Sequence, residues 1–257
     1  MGLDRILTMK NYRLLLIVPI LILALVGTAV AAGNTSNDSF NKAKRMLSQQ
    51  VYFDHRITVY CEAEYDERGN ITLPPGFTTP SHQKRTERME WEHIVPAENF
   101  GRVFAEWREG HLECVDNKGK SFRGRRCAEK VNMEFRHMYA DMHNLAPAIG
   151  AVNALRSNYN FAMLPGVEST FGSCQMKIEG KRVEPPESAR GIIARTYKYM
   201  QAAYPRYNMG TPSERLKEAW DKMYPPDAWE CTRARRIAKI QGNANEVTEA
   251  RCQEVGL

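Results

Sequence analysis

The stretch Met89-Glu90-Trp91-Glu92-His93-Ile94-Val95-Pro96 decides how this chain is read. Met89, Trp91 and His93 alternate with Glu90, Glu92 and Ile94, which is the period of a short strand. Neighbouring side chains of an extended strand point to opposite faces, so Glu92 and His93 can serve one site only at an irregular strand end. Pro96, which cannot donate to a sheet ladder, gives a reason to expect that irregularity. A carboxylate is a hard oxygen ligand of the kind magnesium takes, and the carboxamide of Asn153 offers another. A neutral imidazole can draw a proton from water near physiological pH, which suits His93 to a general base. Taken alone, a His beside a Glu in a half-buried strand is more often a hydrogen-bonded pair, and buried asparagines such as Asn144 and Asn153 often only satisfy backbone groups.

Outward from this strand the chain reads as one continuous α+β domain. Asp38 to Gln50 has Phe40, Ala43 and Leu47 on one helical face, and His55 to Tyr60 is rich in strand formers. Residues 66–82 carry the Gly and Pro pairs of a loop. Between Cys114 and Cys127 lies a polar segment in which Lys, Arg and Gly concentrate; it holds the densest positive charge, and a disulfide is expected at its base. From Ala148 to Ser157, Ile149, Val152 and Leu155 recur at helical spacing, with Asn153 and Arg156 on another face. The last third is helix-rich: Thr211-Pro212-Ser213-Glu214 and Asp227 to Glu230 announce helices over 212–224 and 228–241, the second stopped at Gly242. Trp91, Trp107, Trp220 and Trp229 suit core packing better than base stacking. Asp141, His143 and His137 could imitate a metal site, but they lack the spacing that puts two imidazoles on one helical face.

The 257 residues are 43% hydrophobic and 26% charged, enough for a sizeable core. Leu14 to Ala32 runs without a charge and includes Ala29-Val30-Ala31, which reads as a signal peptide cleaved after Ala31 rather than a retained anchor. Removing Met1–Ala31 takes Arg5, Lys10, Arg13 and Asp4 with it and leaves a single domain over 32–257 with a modest positive charge. Such a balance attracts polyanions without identifying them. All six cysteines, Cys61, Cys114, Cys127, Cys174, Cys231 and Cys252, lie in the exported portion, an even number as disulfides require. Zinc ligation needs pairs two to four apart, and the closest two here are 13 apart. With Cys114 and Cys127 paired, the other four can be joined in about three ways.

The run from Arg88 to Gly101, together with Asp141-Met142-His143-Asn144-Leu145-Ala146-Pro147 through Asn153 to Asn158, resembles the bacterial endonuclease I family. The likeness continues through Glu184 to Tyr197 and from Trp229 to Asn245. It implies a mixed fold around a ββα-metal (His-Me) finger, in which Glu92 and Asn153 bind Mg²⁺, with Mn²⁺ or Ca²⁺ as substitutes, and His93 activates water. It further implies sequence-independent cleavage of DNA and RNA to 5′-phosphate and 3′-hydroxyl ends by a periplasmic or secreted enzyme, expected to be a monomer with no stable membrane association once the leader is removed. Asn144 matches a second asparagine of the family site. An arginine near the scissile phosphate falls among Arg123, Arg125 and Arg126, with Arg125 the best match; Arg123, Arg126 and Arg156 are expected on the nucleic acid. Relatives often carry Cys-Gly-Cys where this chain has Cys61-Glu62-Ala63, so one local disulfide is expected to be missing.

Two other readings share these residues. A secreted nucleic-acid binder with a decayed site would keep the basic surface and lose cleavage. A metal-dependent hydrolase of small phosphodiesters would prefer a nucleotide to DNA.

Overall fold

The computed structural model describes residues 32–257; the expected leader, Met1–Ala31, lies outside the described residues. Helix α1 (Phe40–Met46) starts where the Ser39 side chain accepts from the Lys42 amide, and it runs on as a π-turn over Leu47–Val51. Ala43, Leu47 and Val51 are buried along it, which is the apolar face expected from the sequence.

Residues 55–60 do not form the expected strand. Thr58 exchanges bonds with Ala63, its amide to the Ala63 carbonyl and its hydroxyl accepting from the Ala63 amide, and this closes a turn at Val59–Cys61. The local turn chemistry outweighs the β-propensity of Ile57, Thr58, Val59 and Tyr60. The ribbon forms one step later, with β1 (Glu64–Tyr65) antiparallel to β2 (Ile71–Thr72).

Strand β3 (Met89–His93) leads into α2 (Ala97–Gly101), α3 (Ala105–Arg108), α4 (Arg125–Val131) and α5 (Met133–Tyr139). The chain then returns as β4 (Leu145–Ile149), antiparallel to β3 in a register from Met89 opposite Ile149 to His93 opposite Leu145. Every residue of β4 is buried, as a strand covered on both faces should be. Pro147 is tolerated because the pair has only two strands; its carbonyl accepts from the Val59 amide. Helix α6 (Gly150–Arg156) follows β4 directly, so two strands and a helix meet as one β–β–α unit.

Strands β5 (Asn160–Phe161), β6 (Lys177–Glu179) and β7 (Arg182–Glu184) make a small sheet with β7 central. Helices α7 (Glu187–Ala203), α8 (Thr211–Met223), α9 (Ala228–Gln241) and α10 (Glu246–Glu254) complete the helix-rich last third. The capping box expected at Thr211 does not form: α8 begins one residue earlier, with Gly210 as its cap and no side-chain bond. Asp227 does cap α9, accepting from the Glu230 amide, and Gly242 ends it at φ 86°. Arg195 of α7 is 1% exposed and bonds Glu230 through two nitrogens at 2.6 Å and Asp221 at 3.1 Å, which ties α7 to α8 and α9.

The disulfide at the base of the basic segment joins Cys114 to Cys127 as expected, and the pairs left open are Cys61–Cys174 and Cys231–Cys252. Cys61–Cys174 spans 113 residues and anchors the Val59–Cys61 turn; Cys231–Cys252 staples α9 to α10.

Candidate functional site

Glu90 and Glu92 are two apart in β3 and share a face, while Trp91 turns the other way and meets Tyr52 edge-on at 5.5 Å. Glu92 is 3% exposed; one oxygen accepts from the Tyr60 hydroxyl at 2.9 Å and from Arg156 at 2.8 Å. Burial pushes its carboxyl above the usual carboxylate range, against the pull of Arg156 and of the Tyr60 hydroxyl.

The irregular strand end expected at Pro96 is built by two residues. Arg156 donates to the His93 carbonyl at 2.7 Å and to the Ile94 carbonyl at 2.6 Å. Asn144 accepts from the Val95 amide at 2.8 Å and donates to the Val95 carbonyl at 3.0 Å, and its own carbonyl accepts from the Ile94 amide. With both peptide edges occupied this way the chain leaves the sheet, and Glu92 and His93 line one cleft of about 320 Å³. Arg125, Tyr139 and Asn153 line it with them.

His93 Nε2 lies 2.9 Å from the Tyr139 carbonyl oxygen, and its ring stacks on that of Tyr139 and tilts against Phe40. Burial pushes the imidazole down to about 3; the Tyr139 carbonyl opposes the shift, and the Arg125 and Arg156 cations add to it. The ring is therefore neutral at physiological pH. Asn153 faces it from α6, its Nδ2 donating to Glu90 at 3.2 Å.

The donors that remain suit a hard, well-hydrated cation. The second oxygen of Glu92 and Oδ1 of Asn153 accept no hydrogen bond from the described residues. Among the described residues no three His, Cys, Asp or Glu side chains converge as a metal cage. One carboxylate and one carboxamide beside open space fit Mg²⁺, which keeps several waters, better than Zn²⁺, which wants nitrogen or sulfur.

Other expected site residues fall elsewhere. Arg156 is fully buried and engaged by Glu92 and two carbonyls, so it is a brace of the site and not a surface contact for nucleic acid. Asn144 is likewise buried and spent on Val95, so it holds the strand end and touches nothing in the cleft. Of the three candidate arginines only Arg125 lines the cleft, its guanidinium 5.6 Å from the Tyr139 ring centre. Arg123 donates to the Arg108 carbonyl, and Arg126 lies over Phe122 at 4.1 Å. Asp141 accepts from Tyr199, Tyr204 and Gln241, which leaves it a structural hub and not a ligand beside His143. Tyr60, Phe40 and Tyr139 are site residues that no local pattern marks; Tyr139 acts through its backbone carbonyl, which carries no residue signature. A smaller cavity of about 120 Å³ beside His55 and Trp229 holds none of these groups.

Fold and site thus define a mixed α+β protein whose chemistry-bearing side chains are presented by a β–β–α unit. A family model described as Endonuclease I matches residues 39–250, and the chain belongs to the endonuclease I family. It is similar to an extracellular deoxyribonuclease of Aeromonas hydrophila, 40% identical over 222 residues that cover 84% of this chain and 91% of that one. A periplasmic deoxyribonuclease of the same organism is also 40% identical, over 84% of this chain and 87% of its own. Endonuclease-1 of Buchnera aphidicola subsp. Acyrthosiphon pisum is 34% identical over 84% of this chain and 82% of its own.

Proposed function

We propose that this protein is an exported, metal-dependent endonuclease that hydrolyses DNA and RNA without sequence preference, leaving 5′-phosphate and 3′-hydroxyl ends. The observation that carries the reading is the set of His93, Glu92 and Asn153 around one cleft, with the imidazole neutral and one ring nitrogen already committed. Glu92 and Asn153 are the residues that would hold Mg²⁺, which when bound supplies charge stabilisation for the phosphate and the leaving oxygen.

His93 Nδ1 takes the proton from the attacking water, since Nε2 is occupied by the Tyr139 carbonyl. Arg125, which lines the same cleft, holds the phosphate. Arg156 keeps Glu92 fixed and partly compensates its burial. Arg123 and Arg126, exposed on the disulfide-closed segment, contact phosphates further along the strand. Phosphates present the same charge at every step, so such a surface gains affinity without reading sequence and loses it steeply with salt. The mature unit is residues 32–257 acting as a monomer in the periplasm or outside the cell; its export is supported by the names of the extracellular and periplasmic relatives and by three disulfides.

The test is plasmid nicking with and without a chelator. His93→Ala should cost about 10²-fold to 10⁴-fold in rate while the protein stays folded. Near-normal cleavage by that variant removes the base, and retention of DNA without cleavage by the native chain makes it a binder.

A further inference from the structure

We propose that Glu90 is a positioning residue that fixes which way round the Asn153 carboxamide sits, so that its oxygen and not its nitrogen is turned to the metal. The inference rests on the reading of Asn153 as a metal ligand.

A carboxamide has nearly the same shape in both orientations, and only its hydrogen-bond partners tell oxygen from nitrogen. Here Nδ2 of Asn153 donates to Glu90 at 3.2 Å. Glu90 is held as an acceptor by two guanidinium groups: one oxygen receives Arg85 Nε at 3.0 Å and Arg88 Nε at 2.8 Å, and the other receives Arg85 Nη2. An acceptor so placed admits the amide nitrogen and repels the amide oxygen. Oδ1 is then the atom left over, and it accepts from none of the described residues.

The seat of Glu90 is built into the start of α6. A Cβ on Gly150 would lie 2.7 Å from a Glu90 oxygen and 2.7 Å from the Arg85 carbonyl oxygen, so only glycine admits the carboxylate there. The Gly150 amide also donates to the Arg88 carbonyl at 3.0 Å, which locks residues 85–90 to the helix that carries Asn153. Glu90 itself does not line the cleft, so its influence on the metal passes through the amide. Groups that orient metal ligands from behind in this way change affinity by about 10-fold to 100-fold when removed.

The experiment measures Mn²⁺ binding to the mature chain without DNA, from the electron paramagnetic signal of free Mn²⁺. Glu90→Ala is expected to weaken binding by about 10-fold to 100-fold. In an Asn153→Ala background the same change is expected to have no further effect, because the group it acts on is gone. Gly150→Ala, which crowds the carboxylate without deleting it, is expected to weaken binding in the same direction and serves if Glu90→Ala does not fold. Wild-type affinity in Glu90→Ala or in Gly150→Ala, or an equal loss with and without Asn153, overturns the proposal. If Asn153→Ala itself binds as tightly as the wild type, the ligand reading fails first and carries this inference with it, a pattern distinct from failure of Glu90 alone.

Discussion

The Nε2 nitrogen of His93 lies 2.9 Å from the carbonyl oxygen of Tyr139, and the ring of the same tyrosine stacks on the imidazole at 4.7 Å with an interplanar angle of 10°. A carbonyl can only accept, so Nε2 carries the ring proton and Nδ1 keeps the lone pair. One residue thereby sets both the tautomer and the plane of the imidazole, the first through its backbone and the second through its side chain.

This arrangement leads to a chemical rescue. His93→Ala opens a slot between Phe40 and Tyr139 on the wall of the cleft. Added imidazole should restore part of the nicking rate of that variant, with a rate that rises with the free-base concentration. A variant that cleaves no faster in imidazole would count against proton transfer as what was lost.

Arg156 is predicted to matter for stability and metal binding together. Arg156→Met leaves Glu92 buried without its cation and leaves the His93 and Ile94 carbonyls without donors. Breaking a buried pair from one side costs about 3–5 kcal/mol, to be read from urea unfolding. Arg156→Lys should recover little, since an ammonium cannot span a carboxylate and two carbonyls as the guanidinium fork does. If Arg156→Lys matches the wild type in both unfolding and Mn²⁺ titration, the bracing role is wrong.

His143 predicts an acid-sensitive fold. It is fully buried, and burial pushes it from an ordinary 6.5 down to about 4, opposed by Asp141 and the Asn243 carbonyl and helped by Arg233. Between these two values the unfolded chain binds a proton that the folded chain does not, so stability rises with pH and is lost as pH falls. The loss by pH 5 is on the order of 2 kcal/mol. His93, pushed down to about 3, contributes over the same window, so His143→Gln should lower the pH slope of stability by about half between pH 6.5 and 4, and an unchanged slope would assign the acid sensitivity elsewhere.

The long-range disulfide should be worth more than the short one. Cys61–Cys174 closes 113 residues and Cys114–Cys127 closes 13. On loop entropy the two are worth about 4.7 and 3 kcal/mol. Removing the first pair as serines should therefore lower the urea midpoint further than removing the second. The reverse order would show that the basic segment, not the chain as a whole, needs its bridge.

The half of the site that is local was legible in sequence, since Glu92 and His93 are adjacent in one short strand; Asn153, about 60 residues on, was singled out by the resemblance of its segment to the family and not by spacing. The helices of the last third were readable from caps and periodicity, although Gly210 displaced Thr211 as the cap of α8. What escaped was long-range or carried by the backbone. Arg156 looked like a surface cation because no nearby residue offers it a buried partner; it lies one turn after Val152 on the buried side of α6, where Glu92 and the His93 and Ile94 carbonyls, all about 60 residues away in sequence, take the charge inside. The strand expected at His55–Tyr60 lost to a turn fixed by Thr58 and Ala63. Pairing of Cys61 with Cys174 depends on a fold that spacing does not encode.

The excursion between β3 and β4 has a consequence for synthesis. His93 pairs with Leu145, and the turn that carries Tyr60 is bolted to Cys174, so the groups of the site lie far apart along the polypeptide. A chain made from its amino end holds His93 long before it holds Asn153 or the second half of the bridge. Such a high contact order delays assembly, and it means that no partly synthesised fragment ending before β4 contains a working centre. On the proposed reading the growing polypeptide is thus harmless to DNA until about three-fifths of it, the length up to Asn153, has been made.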